Sequence, residues 1–547
     1  MLFLCELMKS QHKKNILLAF FFAIAVAVGM FLGSLYSGSK LGGETGFLGY
    51  LFTRNTKVSN ILKLVKNKYV DSVNVDSMED LAVNQILSNL DPHTVYLAPA
   101  DAQQQNESLE GGFEGIGIEY LLISDTIMVT AVRPWGPAEK AGIRLGDKIV
   151  AVNPQNTATH KISAATMLKK LRGKKGSEVQ VTILRKGVKA HIVTLVRDKI
   201  LVSSIDAAYP LDNKTGFIKI SKFDANTAED FLDELQKMEV AGIKNIILDL
   251  RDNGGGYLDA AIEMADQFLD KNKLIVYTQG LHQPRTYYKA TDAGLFERGK
   301  LAILIDENTA SASEIVAGAI QDWGRGVIIG RRSFGKGLVQ QQFLFNDGSA
   351  INLTIARYFT PSGRSIQKSY KNGNIPYKNE LNQRLKKGEY TSLDSNLADT
   401  TAFSSKLKYK TATGKIVYAG GGIMPDVFIP LDTLNHTPFY DAVINESLIT
   451  NFVYAKLIYQ IKTEQYKSLN YFIANYHIQN QQYQQFVTYC QQFKVIASAV
   501  QTQNAKPLIL KNMKAILVKY YYGQQAYYRY INNSDDCVNA ALKQFKM

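Results

Sequence analysis

Cysteine is nearly absent from this chain: its 547 residues include three, Cys5, Cys490 and Cys537. A disulfide-stapled fold is thereby excluded. Cys490 and Cys537 could form a pair in an oxidising compartment, and two buried free thiols fit the sequence equally well. Histidine is scarce too, and the seven present form no Cys/His group at metal-ligand spacing and no HExxH helix, so a zinc enzyme has no support and no metal is expected. Thirteen prolines, 46% hydrophobic and 20% charged residues exclude a disordered chain. The formal charge of +14 is spread over scattered Lys and Arg with no basic run interleaved with aromatics, so no nucleic acid is expected as a partner. A chain of this length needs several domains.

One stretch has no charge at all. Ile16 to Leu35 is dominated by Leu, Phe, Ala, Val and Ile, and as a helix it would match a bilayer core about 30 Å thick. Lys9, Lys13 and Lys14 precede it, which keeps residues 1–15 in the cytoplasm and exports the rest. No Ala-x-Ala site follows, so residues 16–36 are expected to be an uncleaved transmembrane anchor rather than a signal peptide. The expected location is the inner membrane, single-pass, with the rest of the chain on the periplasmic side.

Beyond the anchor the texture changes four times. Residues 50–100 carry apolar positions at helical spacing and end at the turn Asp91-Pro92-His93-Thr94; Asp101 to Gly112 is polar and reads as a linker. Residues 113–198 break into short β-type runs split by Gly and Pro. Residues 200–432 alternate strands and helices as in an α/β core, with a Lys/Asn/Ser-rich insertion at about 368–419. Residues 433–547 read as helical and rich in Gln and Tyr, without an interpretable motif.

Three loops in the α/β region carry candidate chemistry. Asp249-Leu250-Arg251-Asp252-Asn253-Gly254-Gly255-Gly256 follows a buried strand, and its glycines allow close backbone approach with N–H groups turned outward, as an oxyanion hole or a tight turn requires. A phosphate loop would end in Gly-Lys-Ser/Thr, which this one lacks. Asn308-Thr309-Ala310-Ser311-Ala312-Ser313-Glu314 joins a strand to a helix, where Ser311 is either a nucleophile or a helix cap, and where the Ala312 N–H could face an anion. Ser333-Phe334-Gly335-Lys336-Gly337 sets a lysine among glycines and apolar residues, where burial could neutralise it; a solvated loop lysine is the plainer alternative. No histidine has a serine-protease context around it. A Ser with a neutral Lys is a known replacement for Ser-His-Asp.

Taken together, Ala310-Ser311-Ala312-Ser313-Glu314-Ile315, Lys336 twenty-five residues after Ser311, Gln340 four later, the Asp-Leu-Arg-Asp-Asn-Gly-Gly-Gly loop, Thr360-Pro361-Ser362-Gly363-Arg364-Ser365-Ile366-Gln367 and Gly420-Gly421-Gly422-Ile423-Met424-Pro425-Asp426-Val427 closely resemble the carboxyl-terminal processing (tail-specific) serine peptidases. Gly115-Ile116-Gly117-Ile118 and Gly146-Asp147-Lys148-Ile149 resemble a PDZ domain, the first run standing where such domains bind a peptide carboxylate; Trp135-Gly136-Pro137 replaces the usual Ser-Pro. The resemblance spans Val58 to Pro430. It implies an α/β, crotonase-like protease core with an inserted PDZ-like β-rich domain, here with an N-terminal transmembrane helix and a helical C-terminal domain. It further implies Ser311 as nucleophile, Lys336 as base, Gln340 orienting the lysine, and Gly255 and Ala312 as oxyanion donors. The implied partners are proteins with accessible, apolar C-termini; no cofactor is implied, and a homo-oligomer is compatible with the sequence. An inactive PDZ scaffold and an acyl-CoA enzyme of the crotonase type are the rival readings.

Overall fold

The computed structural model describes residues 24–29, 57–123, 126–153, 155–156, 164–392, 407–461 and 465–547. The chain divides into two units, Met1–Val83 and Asn84–Met547. In the first, the helix Lys57–Lys68 is followed by the start of Val75–Leu87. Of the expected anchor only residues 24–29 are described, as a short helical stretch. Among the described residues no helix is long and apolar enough to cross a membrane. The fold is therefore corrected to a protease core with a PDZ domain and a helical C-terminus, without the membrane-spanning helix; the apolar run supplied hydropathy, but no helix of sufficient length is described.

The second unit is built around a six-stranded sheet. Its order is Ile205–Pro210, Thr215–Ile220, Asn245–Asp249, Lys300–Ile305, Val327–Gly330, Val427–Phe428, and all neighbours are parallel except the first pair. Parallel strands are apolar on both sides because both faces are covered, and Ile246, Ile247, Leu248, Ala302, Ile303 and Leu304 are all fully buried. The helices Thr227–Val240, Leu258–Asp266 and Ala312–Trp323 cover one face. The other face is covered from the far end of the chain: Tyr528, Cys537, Val538 and Ala541 pack on Tyr209, Phe217, Ile247, Ala302 and Leu304. A second, antiparallel sheet, centred on Ala350–Phe359, takes up Leu338–Leu344, Leu274–Gln279 and Val95–Leu97.

The PDZ-like domain has strands in the order Ile118–Ile123, Thr126–Val132, Lys148–Val152, Glu178–Leu184, His191–Val196, with Ile118–Ile123 at an open edge. It stands on a two-stranded stalk, Gly112–Gly115 paired with Asp198–Leu201. The polar stretch read as a linker is instead largely a helix, Pro99–Leu109, begun by a proline at its first position, where a missing N–H costs nothing.

The tail is a domain of its own making, with a core of Phe452, Phe472, Tyr483, Phe486, Ile509 and Leu517, and that core takes in Ile123 and Met128 of the PDZ-like sheet. Several of its tyrosines pack against that core, and two of them return their hydroxyls to the backbone: Tyr521 donates to Ile458 O at 2.8 Å and Tyr522 to Tyr466 O at 3.2 Å. Cys490 and Cys537 are both free and buried, in separate clusters, so the pairing left open by the sequence is not made.

Arg364 of the Thr-Pro-Ser-Gly-Arg motif is the largest fully buried side chain among the described residues, and it pairs with Asp322 at 2.9 Å with both side chains 1% exposed. The other Asp322 oxygen accepts the Ser362 N–H at 3.0 Å, so the motif is fastened to the end of the helix Ala312–Trp323. Removing one member of a buried pair strands the other's charge, so Asp322→Ala should cost about 3–5 kcal/mol, visible as a lower denaturant midpoint for the core transition; an unchanged midpoint would show that the pair contributes nothing.

Candidate active site

The glycine loop and the nucleophile loop leave the C-terminal ends of two adjacent parallel strands, Asn245–Asp249 and Lys300–Ile305, the position where open α/β sheets gather their reactive groups. They are stitched together directly. Thr309 Oγ1 donates to Leu250 O at 2.9 Å, Ala310 N–H to Asn253 O at 2.9 Å, and Ser313 Oγ to Asn253 O at 3.1 Å. Asp306, at the strand end, accepts from the N–H groups of Asp252, Asn308 and Thr309; burial, with Asp252 nearby, pushes its carboxyl up to about 6.

Ser311 stands immediately before the helix Ala312–Trp323 with φ 57° and ψ −115°, a strained conformation for a residue with a side chain. Gly255 makes room for it: a Cβ at Gly255 would lie 2.7 Å from Ser311 Cβ, and its φ is 98°. The Gly255 N–H, expected as an oxyanion donor, is instead donated to Asn253 Oδ1 at 2.9 Å, so in this conformation the residue's contribution is steric. Ala312 is 1% exposed and opens the helix, so its N–H lies among the amides that the helix itself leaves unpaired.

The lysine loop is brought to the nucleophile by Glu314, which is completely buried. Its Oε2 accepts the N–H of Ser311 and of Lys336, each at 2.9 Å, while Oε1 accepts Gly335 N–H at 2.8 Å and Ser333 Oγ at 2.5 Å. Burial pushes this carboxyl up to about 7, against those four hydrogen bonds, which favour its charge. From the opposite side, the hydroxyl of buried Tyr358 lies 2.6 Å from Lys336 O and 3.1 Å from Ser311 O, sharing one proton between both carbonyls. Positions 311 and 336 are thus held by the same carboxylate oxygen and the same phenol.

Burial depresses the Lys336 amine below the ordinary lysine value, opposed by the charges of Glu314 and Asp91. The amine makes no hydrogen bond or ion pair among the described residues. Gln340 lies on the strand Leu338–Leu344, and its amide donates to Thr354 Oγ1 at 3.4 Å rather than to the lysine.

Two groups beside Lys336 were not singled out in the sequence. The Asp91-Pro92-His93-Thr94 turn is closed by Asp91 Oδ1, which accepts the His93 and Thr94 N–H groups. His93 Nε2 meets Tyr377 OH at 2.7 Å, and its ring packs edge-on against Phe334 and Tyr377. Burial, with the Lys336 charge adding to it, lowers His93 to about 4, so the ring is neutral near pH 7. The strand Val95–Leu97 delivers this turn by pairing with Ala350–Phe359, a long-range pairing that no local pattern signals.

In the PDZ-like domain the carbonyls of Ile116 and Gly117 accept the N–H groups of Ala138 and Arg133, both at 2.9 Å, and Gly117 has φ 78°. Ile116 and Ile118 are buried in the domain core. Gly115 ends the stalk strand, so the run Gly115 to Ile118 links the stalk to the open-edged strand Ile118–Ile123. No group of His, Cys, Asp and Glu among the described residues could hold a metal ion.

Residues 214–376 match the family model "Peptidase family S41", residues 115–196 match "PDZ domain", and residues 439–523 match "Family of unknown function (DUF8443)". A probable CtpA-like serine protease of Staphylococcus aureus (strain MRSA252) is 35% identical over 314 residues, covering 57% of this chain and 62% of the relative. The carboxy-terminal processing protease CtpB of Bacillus subtilis (strain 168) is 34% identical over 316 residues, 57% of this chain and 65% of that one. The solved photosystem II D1 C-terminal processing protease aligns with 26% identity and a TM-score of 0.34 over 69% of this chain and 87% of its own. The chain thus spans under two thirds of the length of the curated relatives it matches. It carries a peptidase family S41 segment with a PDZ domain before it, and over 57% of its length it is similar to carboxy-terminal processing proteases.

Proposed function

We propose that this protein is a serine endopeptidase that cleaves other proteins at or near their C-termini with Ser311 and Lys336. The observation that carries the reading is the sharing of Glu314 Oε2 by the Ser311 and Lys336 amides, beside a buried lysine amine that has no hydrogen-bond partner among the described residues. A neutral amine takes the Ser311 hydroxyl proton as Oγ attacks the scissile carbonyl carbon. The resulting oxyanion is met by the Ala312 N–H and by a glycine-loop amide; Gly255 can serve only by leaving Asn253 Oδ1. Collapse of the tetrahedral species breaks the C–N bond, the leaving amine takes the proton from Lys336, and water activated by the same amine hydrolyses the acyl-enzyme. Hydrogen bonds in unliganded sites are often open, and rotation of the lysine side chain onto Ser311 Oγ completes this one.

The substrate's tail would enter as an added strand on the open edge Ile118–Ile123, with its carboxylate at the Gly115–Ile118 run. An apolar last residue is the expected preference. Gln340 would act on the lysine only after turning from Thr354.

Ser311→Ala and Lys336→Ala should each lower cleavage of an unfolded protein with an apolar C-terminus by about 10⁴–10⁶-fold. In the parent, kcat/KM should rise with pH as the Lys336 amine loses its proton, with a midpoint below the ordinary lysine value. Cleavage that survives both substitutions would refute the dyad, and a parent that binds but never cleaves would favour a peptide-binding scaffold. Glu314→Gln keeps the size but turns an NH₂ toward donors, leaving at least one buried N–H unpaired at about 1–3 kcal/mol. It should therefore lower both the thermal midpoint and kcat; parental values for both would show that the carboxylate does not align the two loops.

A further inference from the structure

We propose that Asp535, at the start of the last helix and outside the part of the chain that matches a peptidase model, is a positioning residue for the oxyanion loop. The proposal rests on the peptidase reading above and extends it to a residue of the tail.

The loop begins at Arg251, each of whose three guanidinium nitrogens makes a hydrogen bond. Its Nε and Nη2 bond Asp249 Oδ1 and Oδ2 at 3.0 and 2.6 Å, and its Nη1 bonds Asp535 Oδ2 at 2.8 Å. Its own N–H is donated to Asp249 Oδ1 at 3.0 Å, and its carbonyl accepts from Lys219 Nζ. Lys219, Arg251, Asp249 and Asp535 therefore form a group of two cations and two anions beneath the glycine loop, with Asp249 2% and Lys219 7% exposed. The Cys537 thiol close by is pushed up to about 12, chiefly by burial, and adds no charge. Asp535 is the only member contributed by the tail.

Two residues after Arg251, Asn253 sets the geometry of the site. Its Nδ2 donates to Ile220 O at 3.0 Å, its Oδ1 holds the Gly255 N–H, and its carbonyl holds Ala310 N–H and Ser313 Oγ on the nucleophile loop. Without Asp535 the group keeps two cations against one anion, and Arg251 loses the partner that fixes its third nitrogen. The intervening residue, Asp252, already sits at φ 57°, so the turn offers little slack to absorb a shift before Asn253. Bonds in a buried polar network strengthen one another, so removing one member weakens the rest, and the loop that faces Ser311 starts from this one.

Asp535 has a second duty that the test must separate. Its Oδ1 accepts the Val538 N–H at 3.0 Å and caps the helix Asp536–Lys546. Asn caps as well as Asp, so Asp535→Asn removes the charge and keeps the cap, while Asp535→Glu keeps the charge. The full-length protein and these variants, with exposed Asp536→Asn as control, are assayed on an unfolded protein with an apolar C-terminus. They are also titrated with a peptide aldehyde, which forms a tetrahedral adduct on Ser311, and with the matching peptide acid. Asp535→Asn should lower kcat about tenfold, part of the roughly 10²–10³ lost with a whole oxyanion donor, with KM within about twofold. Aldehyde affinity should fall in step while peptide-acid affinity holds, Asp535→Glu should keep most of the rate, and Asp536→Asn should match the parent. An unchanged kcat in Asp535→Asn, or equal losses for aldehyde and acid, would overturn the proposal while parental cleavage left the peptidase reading standing. A parent that neither cleaves nor takes the aldehyde would overturn both.

Discussion

The site depends on one buried carboxylate. Glu314 lies one helical turn after Ser311 and accepts four hydrogen bonds, from the amides of Ser311, Gly335 and Lys336 and from the Ser333 hydroxyl. A carboxylate can accept that many only when ionised, yet burial pushes it up to about 7. The tension is resolved by geometry: three of the donors are backbone amides fixed by their loops, and Tyr358 pins the carbonyls of positions 311 and 336 from the other side. A serine and a lysine distant in sequence are thereby held together through their main chains.

The glycine loop is held from two directions. At its far end Phe223 N–H donates to Gly255 O at 2.9 Å and Tyr257 N–H to Phe223 O at 2.8 Å; two residues on, Ala225 N–H bonds Leu109 O beside the PDZ stalk. At its near end Arg251 reaches the tail. The tail also packs on the PDZ-like sheet through Ile123 and Met128, so it touches both that domain and the back of the α/β sheet. The parallel sheet requires a cover on that back face, and the last helices supply it.

Much of the site was legible because its chemistry is local. Ser311 with Glu314 on one helix turn, Lys336 between glycines, and the Asp-Leu-Arg-Asp-Asn-Gly-Gly-Gly loop are short runs whose residue types follow from close approach and backbone bonding. Groups delivered by pairing across the chain were not legible. Tyr358 is one strand residue among many, and the Asp91 turn shows only as a helix stop until Val95–Leu97 joins the sheet. The helix Pro99–Leu109 was hidden by its polar composition, although Pro99 at the first helical position was a usable signal. The doubly apolar strands already called for a second covering layer, but nothing in the tail's Gln/Tyr composition said that the tail provides it. The hydropathy of residues 16–36 pointed to a membrane helix that is not found among the described residues.

On the proposed mechanism, folding makes the amine of Lys336 a base. Titration of that amine by ¹⁵N NMR in the Ser311→Ala protein tests it without relying on any substrate. A midpoint below the ordinary lysine value of 10.5 is expected, because burial penalises the ammonium. A midpoint at or above that value would contradict it, since the nearby Glu314 and Asp91 charges would then have prevailed and left the lysine a cation.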